Sequence, residues 1–318
     1  MALWFSTLEK VDNPPRLLIA GGTGFIGHHL IYAAIQRGWQ VTSVSLHPPS
    51  SIRRIGGTRY LIADLTQLQQ LRGVLDDDYD YVVNLGGYIN HQLFQAGGRL
   101  LIDHHFTAVQ NLVEMVASAS LKRFIQIGSS DEYGGAPSPQ RENLRESPIS
   151  PYSLAKAAST HFLQMLHRTE AFPAVILRLF LVYGPGQNAQ RFLPQIIQGC
   201  LLNKTFPTSS GEQIRDFCYV EDVVNAVFKT LTSESNNVDG QILNIASGQP
   251  ISIREVIETV IDLTARGNAD FGAIPYREGE NMSLYADISR AGAVLDWCPS
   301  VQLEDGLKRT IGWYEKYL

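Results

Sequence analysis

The segment RLLIAGGTGFIGHHLIYAAI, residues 16–35, restricts the chain to very few folds. An apolar run of strand length ends in a glycine turn, and the turn opens directly into a helical pattern. Gly21, Gly24 and Gly27 are spaced G-x-x-G-x-x-G. Glycine allows the tight turn and lets the backbone come close to a bound group. The helix that follows offers its unpaired N–H groups and positive end to an anion. Strand, glycine turn and helix in this order form a pyrophosphate cradle for a dinucleotide. Gly21, Thr23, Gly24, Phe25, Ile26 and Gly27 are its expected contacts.

The rest of the first half keeps the same rhythm. QVTSVSL, TRYLIA, YDYVVNLGG, RFIQIGSS and AVILRLFLVYG read as strands, with HHLIYAAIQRG and FTAVQNLVEMVASAS as helices between them. Near-continuous apolar strands alternating with helices predict an α/β fold, a doubly wound parallel sheet covered on both faces. After GPGQ the alternation lapses, although QILNIAS can rejoin the sheet. The expected division is a dinucleotide-binding domain over residues 15–183 and 223–247, and a smaller C-terminal substrate lobe over 184–222 and 248–318.

Composition narrows the function classes. A net charge of -5 with scattered Lys and Arg gives no basic footprint for nucleic acid. No apolar run is long enough to cross a bilayer, and MALWFSTLEKVDNPP lacks the charged start and apolar core of a secretory signal. Cys200, Cys218 and Cys298 are far apart and lack zinc spacing, which fits reduced thiols in a cytoplasmic protein. His104 and His105 have no acidic partner at ligand spacing, so no metal site is expected.

The second strand bears on the choice of cofactor. An acid at its end would bind the ribose 2′-hydroxyl of NAD. Here Ser45 holds that position, followed by His47, Arg53 and Arg54. A hydroxyl and a guanidinium accept a 2′-phosphate, so NADP is expected, with NAD as the alternative. Asp64 and Leu65 follow the third strand, where Asp64 either meets the adenine amino group or is a solvated loop carboxylate or cap for the next helix. Leu85, Gly86 and Gly87 follow the fourth strand and should also lie against the cofactor.

RFIQIGSSDEYG and SPYSLAKAAS bring Ser129, Tyr152 and Lys156 into order. Tyr152 and Lys156 are one helical turn apart, with Ser150 as cap and Pro151 in the first turn. A free tyrosine titrates near ~10, and a neighbouring ammonium is expected to lower that value. Tyr152 is then the acid/base, Lys156 its tuner and a ribose ligand, and Ser129 the holder of the substrate oxygen.

On these residues the chain resembles the extended short-chain dehydrogenase/reductase family of nucleotide-sugar epimerases, dehydratases and reductases. GGTGFIG, GSSDEYGG, YSLAK, RLFLVYGPGQ, GEQIRDFCYVEDV and YREGENMSLYADISRAGAVLDWCP carry the resemblance over nearly the whole chain. It implies a Rossmann domain with a sugar-nucleotide lobe, and Ser129, Tyr152 and Lys156 match the family triad. GEQIRDF, FGAIPYREGE and ISRAGAVLDW are similar to CDP-abequose synthases, and GSSDEYG to GDP-4-keto-6-deoxymannose reductases. The implied activity is NADPH-dependent reduction of a nucleotide-linked 4-keto-6-deoxy sugar. The alternative is an NAD-dependent 4-epimerase, with a 4,6-dehydratase or a non-catalytic NADP sensor behind it. Arg215 and Arg277 match arginines that hold the sugar nucleotide, and Tyr88, Ser130, Asp131 and Arg191 join them as expected substrate contacts. Arg215 has Asp216 or Asp222 as alternative ion-pair partners, and Arg277 has Glu278 or Glu280.

Leu181 and His105 stand where the family commonly carries Asn, and Ser130 and Asp131 where dehydratases carry an Asp-Glu or Ser-Glu pair. Glu132, one residue on, is expected to point to the other side of an extended segment. The family also implies a homodimer through FTAVQNLVEMVASAS and the Tyr152 helix.

Overall fold

The computed structural model describes residues 13–75, 78–235, 237–276 and 279–317. In chain order the elements are β1 (Arg16–Ala20), α1 (Phe25–Gln36), β2 (Gln40–Ser45), β3 (Thr58–Ile62), α2 (Leu68–Val74), β4 (Tyr81–Asn84), α3 (Gly98–Ile102) and α4 (Ala108–Val116). Then come β5 (Arg123–Ser129), α5 (Pro151–Glu170), β6 (Ala174–Leu179), β7 (Leu181–Tyr183), α6 (Phe192–Leu201), β8 (Thr205–Thr208) and β9 (Ile214–Tyr219). The chain continues through α7 (Val220–Thr232), β10 (Ile242–Ile245), β11 (Pro250–Ser252), α8 (Ile253–Thr264), β12 (Asn268–Phe271), α9 (Ser289–Leu295) and α10 (Leu303–Tyr317).

Seven strands form one parallel sheet in the order β10-β6-β5-β4-β1-β2-β3. The period of two sorts its side chains between two cores. Leu17 and Ile19 pack with Leu30, Ile31 and Ala34 of α1 and with Val223 and Val227 of α7. Leu18 and Ala20 face the other way, onto Val109 and Leu112 of α4 and Leu163 of α5. This is the α/β doubly wound architecture, and the apolar runs are continuous because both sheet faces are covered.

The strand order reverses at β1, which lies between β2 and β4. A crevice opens beyond the strand ends at such a point. Register places the site there. Ala20 pairs with Val44 and with Asn84, so Gly21, Ser45 and Leu85 come next at one level. Ser129 ends β5 opposite Leu179.

The remaining strands form a β11-β9-β7 sheet and a β12-β8 pair, around a separate core that includes Ile197, Val220, Val256 and Leu307. AVILRLFLVYG is therefore two strands, not one. It leaves the large sheet at Phe180, and Leu181–Tyr183 pairs with Phe217–Tyr219 instead. Apolar content is the same on both sides of that break, so periodicity hides it. IRDFCY, inside GEQIRDFCYV, is a strand that its mixed polarity did not announce. The helix read from FTAVQNLVEMVASAS ends at Val116 and is preceded by a π-helical turn, Asp103–Thr107.

Candidate active site

The glycine turn is shaped by what surrounds it. Gly21 has φ +79°, and a Cβ there would lie 2.9 Å from the Leu85 carbonyl. A Cβ on Gly27 would lie 2.6 Å from the Gly21 oxygen. Gly24 donates its N–H to that same oxygen at 3.0 Å, closing the turn. Gly22, which the G-x-x-G-x-x-G spacing passes over, is equally constrained, since its Cβ would meet Ser43 Oγ at 2.4 Å. The helix α1 starts with Gly24 as its N-cap and has no side-chain cap, so its first amides are open to an anion. Gly86 sits against Leu65 Cδ1, where a Cβ would come within 2.8 Å. These close approaches fit a dinucleotide laid along Thr23–Gly27, Leu65 and Leu85–Gly87.

At the end of β2, Ser45 is buried and its hydroxyl accepts the Thr23 N–H at 3.4 Å. His47 is exposed. Arg53 is not a free cation for a 2′-phosphate. It donates to the carbonyls of Thr23 at 3.2 Å and Gly186 at 2.7 Å, tying the glycine turn to the segment after β7. Arg54 is exposed, its guanidinium 5.5 Å from the Tyr60 ring. Asp64 does not cap α2, whose N-cap is Gln67; its Oδ1 instead accepts from Thr66 N at 2.9 Å and Thr66 Oγ1 at 2.8 Å, closing a local turn.

Ser129, Tyr152 and Lys156 converge. The helix α5 begins with Pro151, and Ser150 Oγ accepts the Ser153 N–H at 3.1 Å while Ser153 Oγ reaches back to the Ser150 backbone. That capping box fixes the first turn, which carries Tyr152. The Tyr152 phenol lies within reach of the Ser129 hydroxyl, which acts to lower its pKa, and Tyr152 is 3% exposed. Lys156 is buried, donates to the Ile127 carbonyl at 2.8 Å, and lies 5.9 Å from the Tyr152 ring centroid.

The electrostatic outcome corrects the expectation for Tyr152. Burial pushes its pKa well above the usual tyrosine value, the Asp131 carboxylate adds to this, and the nearby Ser129 hydroxyl only partly opposes it. Desolvation of the phenolate therefore outweighs any lowering by the lysine, and the phenol is held protonated. Burial also brings Lys156 down to about 8, against the raising effects of Glu132 and Asp131.

Two histidine rings flank Tyr152 edge-on, His91 at 5.8 Å and His105 at 4.9 Å between centroids. His105 is 3% exposed, and burial, followed by the Lys156 charge, lowers its pKa to about 3. Its Nε2 therefore donates to the Tyr88 carbonyl, at 2.9 Å. The ring occupies the space a side chain at Gly87 would need, where a Cβ would lie 2.2 Å from Cε1. His105 thus links the Gly87–Tyr88 segment to Tyr152 at the start of α5. The Tyr88 ring rests against His104 and His105.

Asp131 lies in the same cleft. Burial raises its pKa, and the charges of His91, Arg191 and Arg215 only partly oppose that rise. Its Oδ2 is 3.8 Å from His91 Nε2. Ser130 is buried and Arg191 is exposed as the N-cap of α6. Arg215 pairs with Glu280, not with Asp216 or Asp222. Those two carboxylates are committed to backbone: Asp216 accepts from Ser247, Gly248 and Ala286, and Asp222 from Ser300 and Val301. Arg277 and Glu278 lie outside the described residues. Leu181, in the position where the family carries Asn, is 37% exposed.

Glu132 departs from its expected setting. Ser130–Tyr133 is a single helical turn, not an extended segment, and the Glu132 carboxylate is fully buried as the N3 member of a capping box on Ser129.

Among the described residues no group of three His, Cys, Asp or Glu is arranged to hold a metal ion, and no helix is long and apolar enough to cross a membrane. Buried acid/base hydroxyls beside a dinucleotide cradle define a nicotinamide-dependent enzyme of the short-chain dehydrogenase/reductase type. The chain belongs to the NAD dependent epimerase/dehydratase family, whose pattern matches residues 17–246. It is 24% identical over 311 residues to a UDP-glucuronate 4-epimerase from Thermodesulfobacterium geofontis, covering 93% of this chain and 95% of that one. It is 26% identical to a dTDP-glucose 4,6-dehydratase from Haemophilus influenzae, covering 94% and 97%. Among solved structures, MoeE5 in complex with UDP-glucuronic acid and NAD is similar at a TM-score of 0.84 and 27% identity, over 95% of this chain and 100% of that one. The family acts on nucleotide sugars with NAD, and these similarities lie with epimerases and dehydratases rather than singling out the 4-keto reductases.

Proposed function

We propose that this chain is a nucleotide-sugar 4-epimerase that keeps NAD bound through its cycle. The observation that carries the reading is the convergence of Ser129, Tyr152 and Lys156, all buried, at the strand ends that also carry the glycine cradle. The nicotinamide, when bound, supplies reversible hydride acceptance at C4. Ser129 Oγ holds the sugar O4 beside Tyr152. The Tyr152 oxygen takes the O4 proton as the alcohol is oxidised and returns it when the ketone is reduced on its opposite face. The cation of the oxidised cofactor, together with Lys156, favours the phenolate that burial alone disfavours. Lys156 also holds the nicotinamide ribose. Arg191 and Arg215 grip the diphosphate while the sugar turns over, and Tyr88, Ser130 and Asp131 line the space in which it turns. Thr23–Gly27, Leu65 and Leu85–Gly87 hold the dinucleotide.

One observation favours a second reading, an NADPH-dependent 4-keto reductase. β2 ends in Ser45 with no acid, and Arg54, on the segment between β2 and β3, is exposed. His47 would then join them at a 2′-phosphate. Denaturing the purified protein and identifying the released nucleotide separates the two. The epimerase predicts close to one equivalent of NAD, retained through dialysis. A cofactor that exchanges freely, with NADPH preferred, supports the reductase. In either reading the partner is a nucleotide-linked sugar, and the chain pairs with a second copy through α4 and α5.

A further inference from the structure

We infer that Glu132 is a positioning residue that sets the distance between Ser129 and Tyr152. This inference rests on the C4 oxidoreduction proposed above, but the lock itself is carried by hydrogen bonds that do not depend on the substrate.

Ser129 and Tyr152 come from different elements, the end of β5 and the start of α5. Nothing in the covalent chain fixes their separation, because 22 residues of mostly irregular chain run between them. Glu132 joins the two elements with one carboxylate. Its Oε1 accepts the Ser129 N–H at 2.8 Å. Its Oε2 accepts the Thr160 hydroxyl at 2.8 Å, and Thr160 is one turn beyond Lys156 on α5. Arg178 Nε, from β6, donates to the same Oε2 at 2.9 Å. All three side chains are fully buried.

A buried carboxylate is tolerated only when it is paired and hydrogen-bonded, and here both oxygens are used. Arg178 also meets Glu146, so the guanidinium bridges two acids while Glu132 keeps its links to β5 and α5. Space for the carboxylate is made by Gly128, where a Cβ would lie 2.5 Å from Glu132 Oε1. The run Gly128-Ser129-Ser130-Asp131-Glu132 then has a physical reading. Glycine admits the carboxylate, Ser129 is the residue it fixes, and Glu132 reaches back three positions to fix it. The same serine accepts the Asp131 N–H on its Oγ at 3.1 Å, so one turn of chain orients both its backbone and its hydroxyl.

Loss of this lock changes the reacting geometry without touching the groups that bind the cofactor or the sugar nucleotide. Small displacements of reacting groups are costly, with about 1 Å worth as much as 10²-fold in rate. The test uses two variants of the full chain, Thr160→Val and Glu132→Gln. Thr160→Val removes a single hydrogen bond at constant volume and leaves the Glu132–Arg178 pair in place. Both variants and the wild type are assayed for kcat and KM on a nucleotide hexose, and backbone amide exchange is followed at Ser129. We expect Thr160→Val to lower kcat by about tenfold and Glu132→Gln by up to a hundredfold, with substrate KM and bound NAD unchanged, and faster exchange at Ser129 in Glu132→Gln. Wild-type kcat in the two folded variants overturns the inference. So does a kcat loss matched by an equal rise in KM, which is the mark of general loosening. If the wild type itself turns over no nucleotide sugar, the proposed function fails instead. The exchange measurement then decides the lock alone, and unchanged protection at Ser129 in Glu132→Gln refutes it.

Discussion

The Tyr152 phenol lies within reach of the Ser129 hydroxyl at a point where their residues are 3% and 9% exposed. In the proposed reaction these two buried groups act on the oxygen at C4, with Tyr152 carrying the proton. Replacing Tyr152 by Phe removes the proton carrier and keeps the ring. General acid/base catalysis is worth about 10²–10⁴-fold, so Tyr152→Phe should lower kcat by that range and leave NAD content unchanged. Turnover close to wild type would show that the proton moves elsewhere.

The pH profile follows from the direction of the shifts. The Tyr152 pKa is raised by burial, so the phenolate fraction grows with alkalinity, and kcat/KM for alcohol oxidation should rise from pH 6 towards pH 9. Eliminating the Asp131 charge, which adds to that rise, should move the profile to lower pH. A profile in Asp131→Asn that does not move would place Asp131 outside the electrostatic reach of the proton carrier.

Lys156 gives a prediction on stability. Its pKa falls from the ordinary 10.5 to about 8 on burial. Between these values the unfolded chain binds more protons than the folded one, so the lysine's contribution grows more favourable as pH rises through this window. Lys156→Met should therefore melt higher than wild type near pH 7, with the difference shrinking by pH 10, while activity is lost. Calorimetry across that range checks the sign. A destabilised variant at neutral pH would mean that the bond to the Ile127 carbonyl outweighs the cost of burying the charge.

The glycine turn predicts a split between neighbours. Gly27→Ala places a methyl 2.6 Å from the Gly21 oxygen and should displace the turn. Overpacking of this kind costs about 1–3 kcal/mol, and nucleotide content should fall with it. Gly38→Ala, also in the first βαβ unit, has open space but a φ of +73°. It should cost stability and spare nucleotide binding. Equal nucleotide loss in both would remove the special role of the cradle.

Much of this was legible in the sequence because it is local. The strand–turn–helix cradle, the four-residue step from Tyr152 to Lys156 and the Ser150–Pro151 cap each follow from spacing within one element. What was not legible depends on contacts between distant segments. Gly22 matters only because Ser43 of β2 lies under it, and Arg53 is consumed by the carbonyls of Thr23 and Gly186. Arg215 takes Glu280 from across the lobe because Asp216 and Asp222 beside it are already used by backbone amides. The break at Phe180 leaves no mark in hydropathy, since both halves of that run are apolar. The Tyr152 shift was misjudged for a related reason. The charge of Lys156 is visible in the sequence, but the depth of burial that opposes it is not.

Cofactor choice provides a further check at a single position. Ser45 is buried at the end of β2, level with the glycine turn. Ser45→Asp would supply the acid that binds a ribose 2′-hydroxyl and repel a 2′-phosphate. It should leave NAD content and turnover intact if NAD is the resident cofactor. Loss of activity, restored by no nucleotide except NADPH at high concentration, would support the reductase reading.

The central claim is inversion at C4 by a retained cofactor. Purified protein should be mixed with UDP-glucose, UDP-glucuronic acid and dTDP-glucose in turn, with no nucleotide added, and the sugar signals followed by proton NMR. The account predicts that at least one substrate converts to its C4 epimer and stops at a mixture of the two, with no net consumption of NAD. Absence of any C4 inversion, together with stoichiometric oxidation of added NADPH on a nucleotide-linked 4-keto sugar, would contradict it.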